Sequence, residues 1–119
     1  MKTRKNNSDR ILKLFVAIFI VSSVFMGCSK SNDTPNPGTN EVFIVDFAFS
    51  PSTITVSANT TITWTNKDVA AHTVTSTTGL FDSGSISTNG TYSHLFTTAG
   101  SFPYKCTIHP TMTATVIVN

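Results

Sequence analysis

Apolar and polar residues alternate along most of the chain after residue 40. A period of two places successive side chains on opposite faces, so it predicts β-strands with one buried face. Ile54 and Val56 are expected to share one face of their strand, and Ile62 and Trp64 are expected to point inward from the next one along the chain. Phe47 and Phe49 follow the same alternation. The predicted strands cover residues 42–49, 53–56, 61–65, 91–98, 102–106 and 113–118, with a further short one at 72–75.

No stretch of the chain shows the roughly 3.6-residue apolar period of an amphipathic helix. Threonine is frequent in the predicted strands, and turn-forming asparagine and glycine residues separate them. This combination is typical of all-β proteins. We therefore predict an antiparallel β-sandwich of the Greek-key type.

The first 27 residues have a different pattern, in which a basic head precedes the apolar run 14–26. This is the pattern of a secretory signal, and the run is shorter than the roughly 20 residues that span a bilayer. Cys28 follows Gly27 where cleavage would fall, which resembles the lipobox of bacterial lipoproteins. We therefore expect a signal peptide at residues 1–27 and lipidation of Cys28. The alternative is an uncleaved signal anchor in which the cysteine is incidental.

Residues 28–40 are rich in Ser, Asn, Thr, Pro and Gly, so they are expected to form a flexible tether. The folded domain then covers residues 41–119, and the protein is expected in the periplasm or cell envelope, anchored to a membrane by lipid. Domains shorter than about 80 residues have marginal cores, and a bound metal is one common supplement.

The formal charge of +2 comes from the signal segment. Residues 28–119 carry three lysines and five acidic residues, which is a net charge of −2. Because no basic stripe remains, we predict no binding to nucleic acid.

Cys106 is the only cysteine outside the predicted lipidation site, which excludes a disulfide framework, a CxxC redox pair and a multi-cysteine zinc site. His109 follows it by three residues and Met112 follows by three more. Thiolate, imidazole and thioether are soft ligands that favour copper. A second histidine, His72, comes after the strand that ends at residue 65. Loops at one end of a sandwich cluster, so His72 could meet the Cys106 loop there.

Two imidazoles, one thiolate and a weak axial thioether make up the trigonal site of electron-transfer copper. Taken singly, each residue has an ordinary interpretation, because lone cysteines and methionines are usually core and lone histidines are usually surface. Those interpretations leave the joint spacing unexplained. His94 shares a face with Tyr92 and Phe96, and nothing in the sequence links it to the ligand set.

Three groups of residues resemble the cupredoxin family, and together they span the domain at 41–119. They are Phe49-x-Pro51-x-x-Ile54-x-Val56 with Ile62-x-Trp64-x-Asn66 and His72, the segment Tyr92 to Gly100, and Phe102-x-Tyr104-x-Cys106-x-x-His109-Pro110-x-Met112. The Cys-x2-His-x2-Met spacing is similar to that of the amicyanin branch.

The resemblance implies that His72, Cys106, His109 and Met112 hold one type 1 copper. It also implies that His109 exposes its ring edge in an apolar patch and serves as the electron port. The expected neighbours of that port are Pro110, Ile108, Ala70 and Ala71. Asn66 is expected to join the two ligand loops through side-chain hydrogen bonds.

Three features differ from the family pattern. Thr73 follows the first histidine where relatives carry asparagine, so the hydrogen bond made there must be remade or lost. Lys105 precedes Cys106 where plastocyanin has a tyrosine, so the tyrosine electron route is not expected. The interval from His72 to Cys106 is shorter than in amicyanin or plastocyanin, which predicts a trimmed hairpin.

The sequence therefore predicts an electron shuttle between redox proteins, such as a c-type cytochrome or a dehydrogenase, and a monomer. An enzyme is not expected, because no third group orients a Cys106–His109 pair and the chain is too short for a substrate cleft. The alternative function is a copper carrier or storage protein with the same ligands, which would often bring extra Met or His near the site. A metal-free adhesive sandwich would leave the ligand spacing unexplained.

Overall fold

The computed structural model describes residues 36–119, so the predictions for the signal segment, Cys28 and most of the tether lie outside the described residues. All the regular elements in this part of the chain are strands, and it contains no helix long and apolar enough to cross a bilayer. The strands are β1 (Glu41–Val45), β2 (Ala48–Ser50), β3 (Thr53–Val56), β4 (Thr60–Asn66), β5 (Thr75–Ser76), β6 (Thr91–Phe96), β7 (Gly100–Lys105) and β8 (Thr113–Val118).

The strands form two four-stranded sheets, in the orders β2-β1-β4-β6 and β3-β8-β7-β5. The predicted β-sandwich is confirmed. The pairing is mixed, however, because β1 with β4 and β3 with β8 are parallel. Parallel neighbours require a crossover between them. Here the chain leaves the first sheet after β2, runs through β3 in the second sheet, and returns as β4 beside β1.

Two local predictions from the alternation were wrong. Phe47 does not share the buried face of Phe49, because a turn at Asp46 and Phe47 separates β1 from β2. Phe49 is 4% exposed and Phe47 is 53% exposed. The short strand predicted at 72–75 is instead β5 at Thr75–Ser76, and His72 forms an isolated bridge with Ile86.

The core lies between the sheets around Trp64, which is fully buried on β4. Its indole Nε1–H donates to the hydroxyl of Tyr104 on β7 at 3.1 Å, so this bond joins the two sheets. Burial raises the pKa of Tyr104, although the bond from Trp64 acts against that rise. Phe96 and Phe81 pack on the same indole. The core thereby fixes β7 two residues before Cys106.

Candidate metal centre

The Cys106–Met112 segment is a tight connection between β7 and β8. Lys105 and Thr113 form the last pair of the ladder. Directly beyond that pair, the Cys106 amide donates to the Met112 carbonyl at 3.0 Å. The Met112 amide donates to the His109 carbonyl at 2.9 Å, which closes a turn inside the loop. These bonds leave the loop few free torsions, so the three predicted ligands in it are held by backbone structure.

His72 is fixed by a different part of the chain. Its amide donates to the Ile86 carbonyl at 3.1 Å, and the Ile86 amide donates back to the His72 carbonyl at 2.8 Å. The imidazole is fully buried. β5 follows this bridge and pairs with β7, with Thr75 opposite Lys105. The pairing brings His72 to the end of the sandwich where Cys106 leaves β7.

Three of the four predicted ligand side chains meet at this end. The Cys106 sulfur lies 3.8 Å from Nδ1 of His72 and 3.8 Å from Nδ1 of His109. The two Nδ1 atoms are 3.2 Å apart. A point equidistant from the three atoms lies about 2.1 Å from each, within the roughly 2.0–2.3 Å of bonds from imidazole nitrogen and thiolate sulfur to zinc, a metal ion of similar size. The triangle therefore has the dimensions of a trigonal metal site.

The ligand types in this triangle fit copper. Two imidazoles with one thiolate in a trigonal arrangement form the type of site that proteins use for electron-transfer copper, with a methionine as the weak axial ligand. Met112 is 5% exposed and directly precedes β8. Cys106 is fully buried, whereas His109 is only half-buried. A metal held here would be shielded on most sides and would be closest to solvent at His109.

Thr73 joins the His72 segment to the Cys106 loop. Its amide donates to the Cys106 sulfur at 3.3 Å. Its hydroxyl oxygen accepts from the Thr107 amide at 2.8 Å and lies 3.0 Å from the hydroxyls of Thr75 and Thr107. Thr73 therefore makes side-chain hydrogen bonds to the Cys106 loop at the position where the family pattern has asparagine.

Asn66 has a different role from the one that the resemblance implied. Its Nδ2 donates to the carbonyls of Ala70 at 2.8 Å and Ile86 at 3.0 Å. Its Oδ1 accepts from the Asp68 amide at 2.9 Å. Among the hydrogen bonds of residues 36–119, those of the Asn66 side chain reach the segment before His72 and the residue Ile86 that pairs with His72. The link to the Cys106 loop is made by Thr73 instead.

Asp68, which is not among the predicted site residues, contacts the other nitrogen of His72. Its Oδ2 lies 2.9 Å from Nε2 of His72. Burial would raise the pKa of this carboxyl group, but hydrogen bonds from the amides of Phe47 and Asp46, and then from His72, bring it below its ordinary value. An ionised carboxylate only accepts hydrogen bonds, so Nε2 carries the proton and Nδ1 is free for a metal. The four-residue spacing from Asp68 to His72 is the feature of the sequence that could have indicated this contact.

Exposed apolar residues contribute to the surface on both segments that carry the predicted ligand histidines. Ile108 is 49% exposed and Val69 is 93% exposed, while Pro110 is also exposed. Phe47 belongs to this surface, because its ring centroid lies 5.0 Å from that of His109 and 5.3 Å from that of His72. The alternation gave no signal for this placement, since it assigned Phe47 to a strand.

His94 lies apart from the triangle. As predicted, it shares a face of β6 with Tyr92 and Phe96. Its ring packs on Phe81 and Phe96, with centroids 4.8 Å away in both cases. Within residues 36–119, the side chains His72, Cys106 and His109 are the group that could hold a metal ion.

Comparison with known proteins agrees with the fold. The model of the Cupredoxin-like domain matches residues 16–118. Amicyanin-alpha of Methylorubrum extorquens is 31% identical over 86 residues, which cover 68% of this chain and 72% of that protein. The structure of the Cu(I) form of a methionine-to-alanine variant of amicyanin is 30% identical with a TM-score of 0.64, covering 66% of this chain and 80% of that one.

A purple cupredoxin from Nitrosopumilus maritimus has a similar fold, with 28% identity and a TM-score of 0.62. The match covers 66% of this chain and 98% of that one. The strand pattern, the ligand triangle and these matches agree, and this chain belongs to the cupredoxin-like domain family.

Proposed function

We propose that this chain binds one copper ion through His72, Cys106, His109 and Met112 and passes single electrons between redox proteins in the cell envelope. The triangle formed by the Cys106 sulfur and the two Nδ1 atoms is the observation that carries this proposal. Bound copper would supply a one-electron couple between Cu(II) and Cu(I). Membership of the cupredoxin-like family supports the same function.

The chain contributes a rigid frame to this chemistry. The ligands His72 and Cys106 are anchored in separate segments. The hydroxyl of Thr73 links those segments by accepting the Thr107 amide at 2.8 Å. The backbone bonds of the Cys106–Met112 loop hold the remaining ligands. A frame of this stiffness changes little when the charge of the metal changes, and small rearrangement favours fast electron transfer.

His109 is the proposed point of electron entry and exit. It is the most exposed of the three triangle residues, and the exposed apolar residue Ile108 directly precedes it. The domain carries few charges, so long-range steering of a partner is weak and apolar contact around His109 dominates docking. A redox protein such as a c-type cytochrome or a dehydrogenase is the proposed partner, and the domain acts as a monomer.

The proposed location is the periplasm or cell envelope, with the protein anchored to a membrane by lipid. It follows from the signal segment at 1–27, lipidation at Cys28 and a tether at 28–40. β1 starts at Glu41, and the turn after its last residue contacts the two histidines. The tether therefore joins the domain at the far end of β1, about 15 Å from that turn at the ordinary rise per residue of a strand.

Addition of Cu(II) to the purified full-length chain tests the proposal. We expect an intense thiolate-to-copper absorption band that disappears in Cys106→Ser. A colourless wild-type protein, or a band that survives in Cys106→Ser, would contradict it. Slow electron self-exchange combined with fast copper release to a chelator would favour the carrier function over the shuttle. If Cys28→Ala still sediments with membranes, the lipid anchor is wrong.

A further inference from the structure

The turn between β1 and β2 has a conformation that is unusual for one of its residues, Phe47. Val45 pairs with Ala48, so Asp46 and Phe47 alone make the turn. Their φ angles are +52° and +58°. Glycine and asparagine favour this left-handed region, and a large aromatic residue is rare there. Such a conformation persists only where the surrounding structure imposes it, and these places are often functional.

The Asp68 carboxylate stabilises this conformation by accepting the amides of both turn residues. Its Oδ1 accepts from the Asp46 amide at 2.7 Å, and its Oδ2 accepts from the Phe47 amide at 2.9 Å. The same Oδ2 accepts the Nε2–H of His72 at 2.9 Å. The side chain of Asp68 is 11% exposed, so water competes little for these bonds. One carboxylate thus holds both the turn and a predicted ligand.

The turn places the Phe47 ring against both histidines. The ring planes make angles of 81° with His72 and 86° with His109, which are edge-to-face contacts. With 53% of its surface exposed, Phe47 gains less from burial than a core residue does. A strained and exposed aromatic residue therefore contacts the two imidazoles from outside the ligand loop.

We propose that Asp68 and Phe47 form a clamp of two positioning residues, which orients the His72 ring through Nε2 and restrains His72 and His109 through the Phe47 ring. This inference rests on the proposed copper function. A carboxylate that accepts the outer N–H of a ligand histidine fixes the tautomer and increases the basicity of the ligand. Its negative charge favours Cu(II) over Cu(I). The Phe47 ring opposes movement of His109 away from the triangle and so slows metal release.

The test uses the full-length chain and two pairs of variants. Asp68→Asn removes the charge, and its control is Glu41→Gln, because Glu41 also accepts a backbone amide, that of Gly38 at 2.9 Å, at the start of β1. Phe47→Gly removes the ring at a position that suits glycine. Its control is Leu80→Gly, because Leu80 is also 53% exposed and lies outside the site. Copper affinities in both oxidation states, copper release to a chelator and the melting temperature of the apo-protein are measured.

We expect Asp68→Asn to weaken Cu(II) binding by about 10–100-fold, the usual range for partners of metal ligands, and to weaken Cu(I) binding less. A tenfold change in the ratio of the two affinities raises the reduction potential by about 59 mV. Phe47→Gly should release copper at least about tenfold faster while the apo-protein melts no lower than Leu80→Gly, because glycine relieves the strained turn. The control variants should match the wild type in copper binding.

The clamp is overturned if Asp68→Asn and Phe47→Gly bind and release copper as their controls do. A wild-type protein without the blue absorption band would instead refute the proposed function. In that case the apo-protein decides the positioning role of Asp68. NMR should show a slowly exchanging Nε2–H of His72 in the wild type, and Asp68→Ala should lose it. If that proton exchanges equally fast in both proteins, the Asp68 part of the clamp is also wrong.

Discussion

Replacement of Thr73 by valine tests whether one hydroxyl holds the two ligand segments together. Valine has nearly the shape of threonine, and Thr73 is 5% exposed, so the substitution changes hydrogen bonding more than packing. It removes the acceptor of the Thr107 amide, at 2.8 Å, and the contacts to the hydroxyls of Thr75 and Thr107, both at 3.0 Å. The Thr73 group that donates to the Cys106 sulfur is the backbone amide, so this bond remains possible in the variant.

The expected loss of stability follows from the amide that is left without its partner. A buried donor without an acceptor costs about 1–3 kcal/mol. Thr107 is exposed, so water can replace part of the lost bond. We therefore expect the free energy of unfolding to fall by about 1–2 kcal/mol. For a domain of this size, that corresponds to a fall of about 4–16 °C in the melting temperature of the apo-protein.

Urea unfolding of the apo-protein, followed by the fluorescence of Trp64, measures this loss. Thr63→Val is the matched control, because the Thr63 hydroxyl pairs only with that of Ser93, at 2.8 Å on the exposed face of the first sheet. Its effect should stay within about 0.5 kcal/mol. Thr73→Ser keeps the hydroxyl, so its free energy of unfolding should lie between those of the wild type and Thr73→Val. A loss in Thr73→Val no larger than that of the control would refute the bridging role.

Three further substitutions test other features. Tyr104→Phe leaves the buried Trp64 Nε1–H without its acceptor and should lower stability by about 1–3 kcal/mol; unchanged urea unfolding would contradict the bond between the sheets. In Gly90→Ala the new Cβ would lie 2.8 Å from the Ser87 carbonyl oxygen. The backbone shift that relieves this contact should destabilise the apo-protein by about 1–3 kcal/mol, and an unchanged stability would contradict the close approach. Burial lowers the pKa of His94 below its ordinary value. Because the unfolded chain then takes up the proton first, stability should fall as the pH drops below about 6.5, the pKa in the unfolded state. His94→Gln should reduce that fall, and an identical pH dependence in the variant would show that His94 does not cause it.

The parts of the fold that the sequence predicted depend on local regularity. The alternation of Ile62 with Trp64 is a property of consecutive residues, and both are fully buried on β4 as expected. The spacing of Cys106, His109 and Met112 is equally local, and a single loop contains all three. His72 was predicted from the end of the sandwich at which its loop lies, and the structure brings it to that end. The parallel pairing of β1 with β4 was missed, because a crossover between sheets leaves no local pattern.

The clamp could not be predicted for a different physical reason. Asp68 acts across about twenty residues of sequence on the amides of Asp46 and Phe47, and no spacing rule encodes such contacts. Phe47 conflicts with its own local preference, since a bulky residue at positive φ is disfavoured. Alternation therefore assigned it to a strand. Where local preference and structure disagree, the residue is expected to serve a site rather than the fold. The two histidines in contact with the Phe47 ring identify that site.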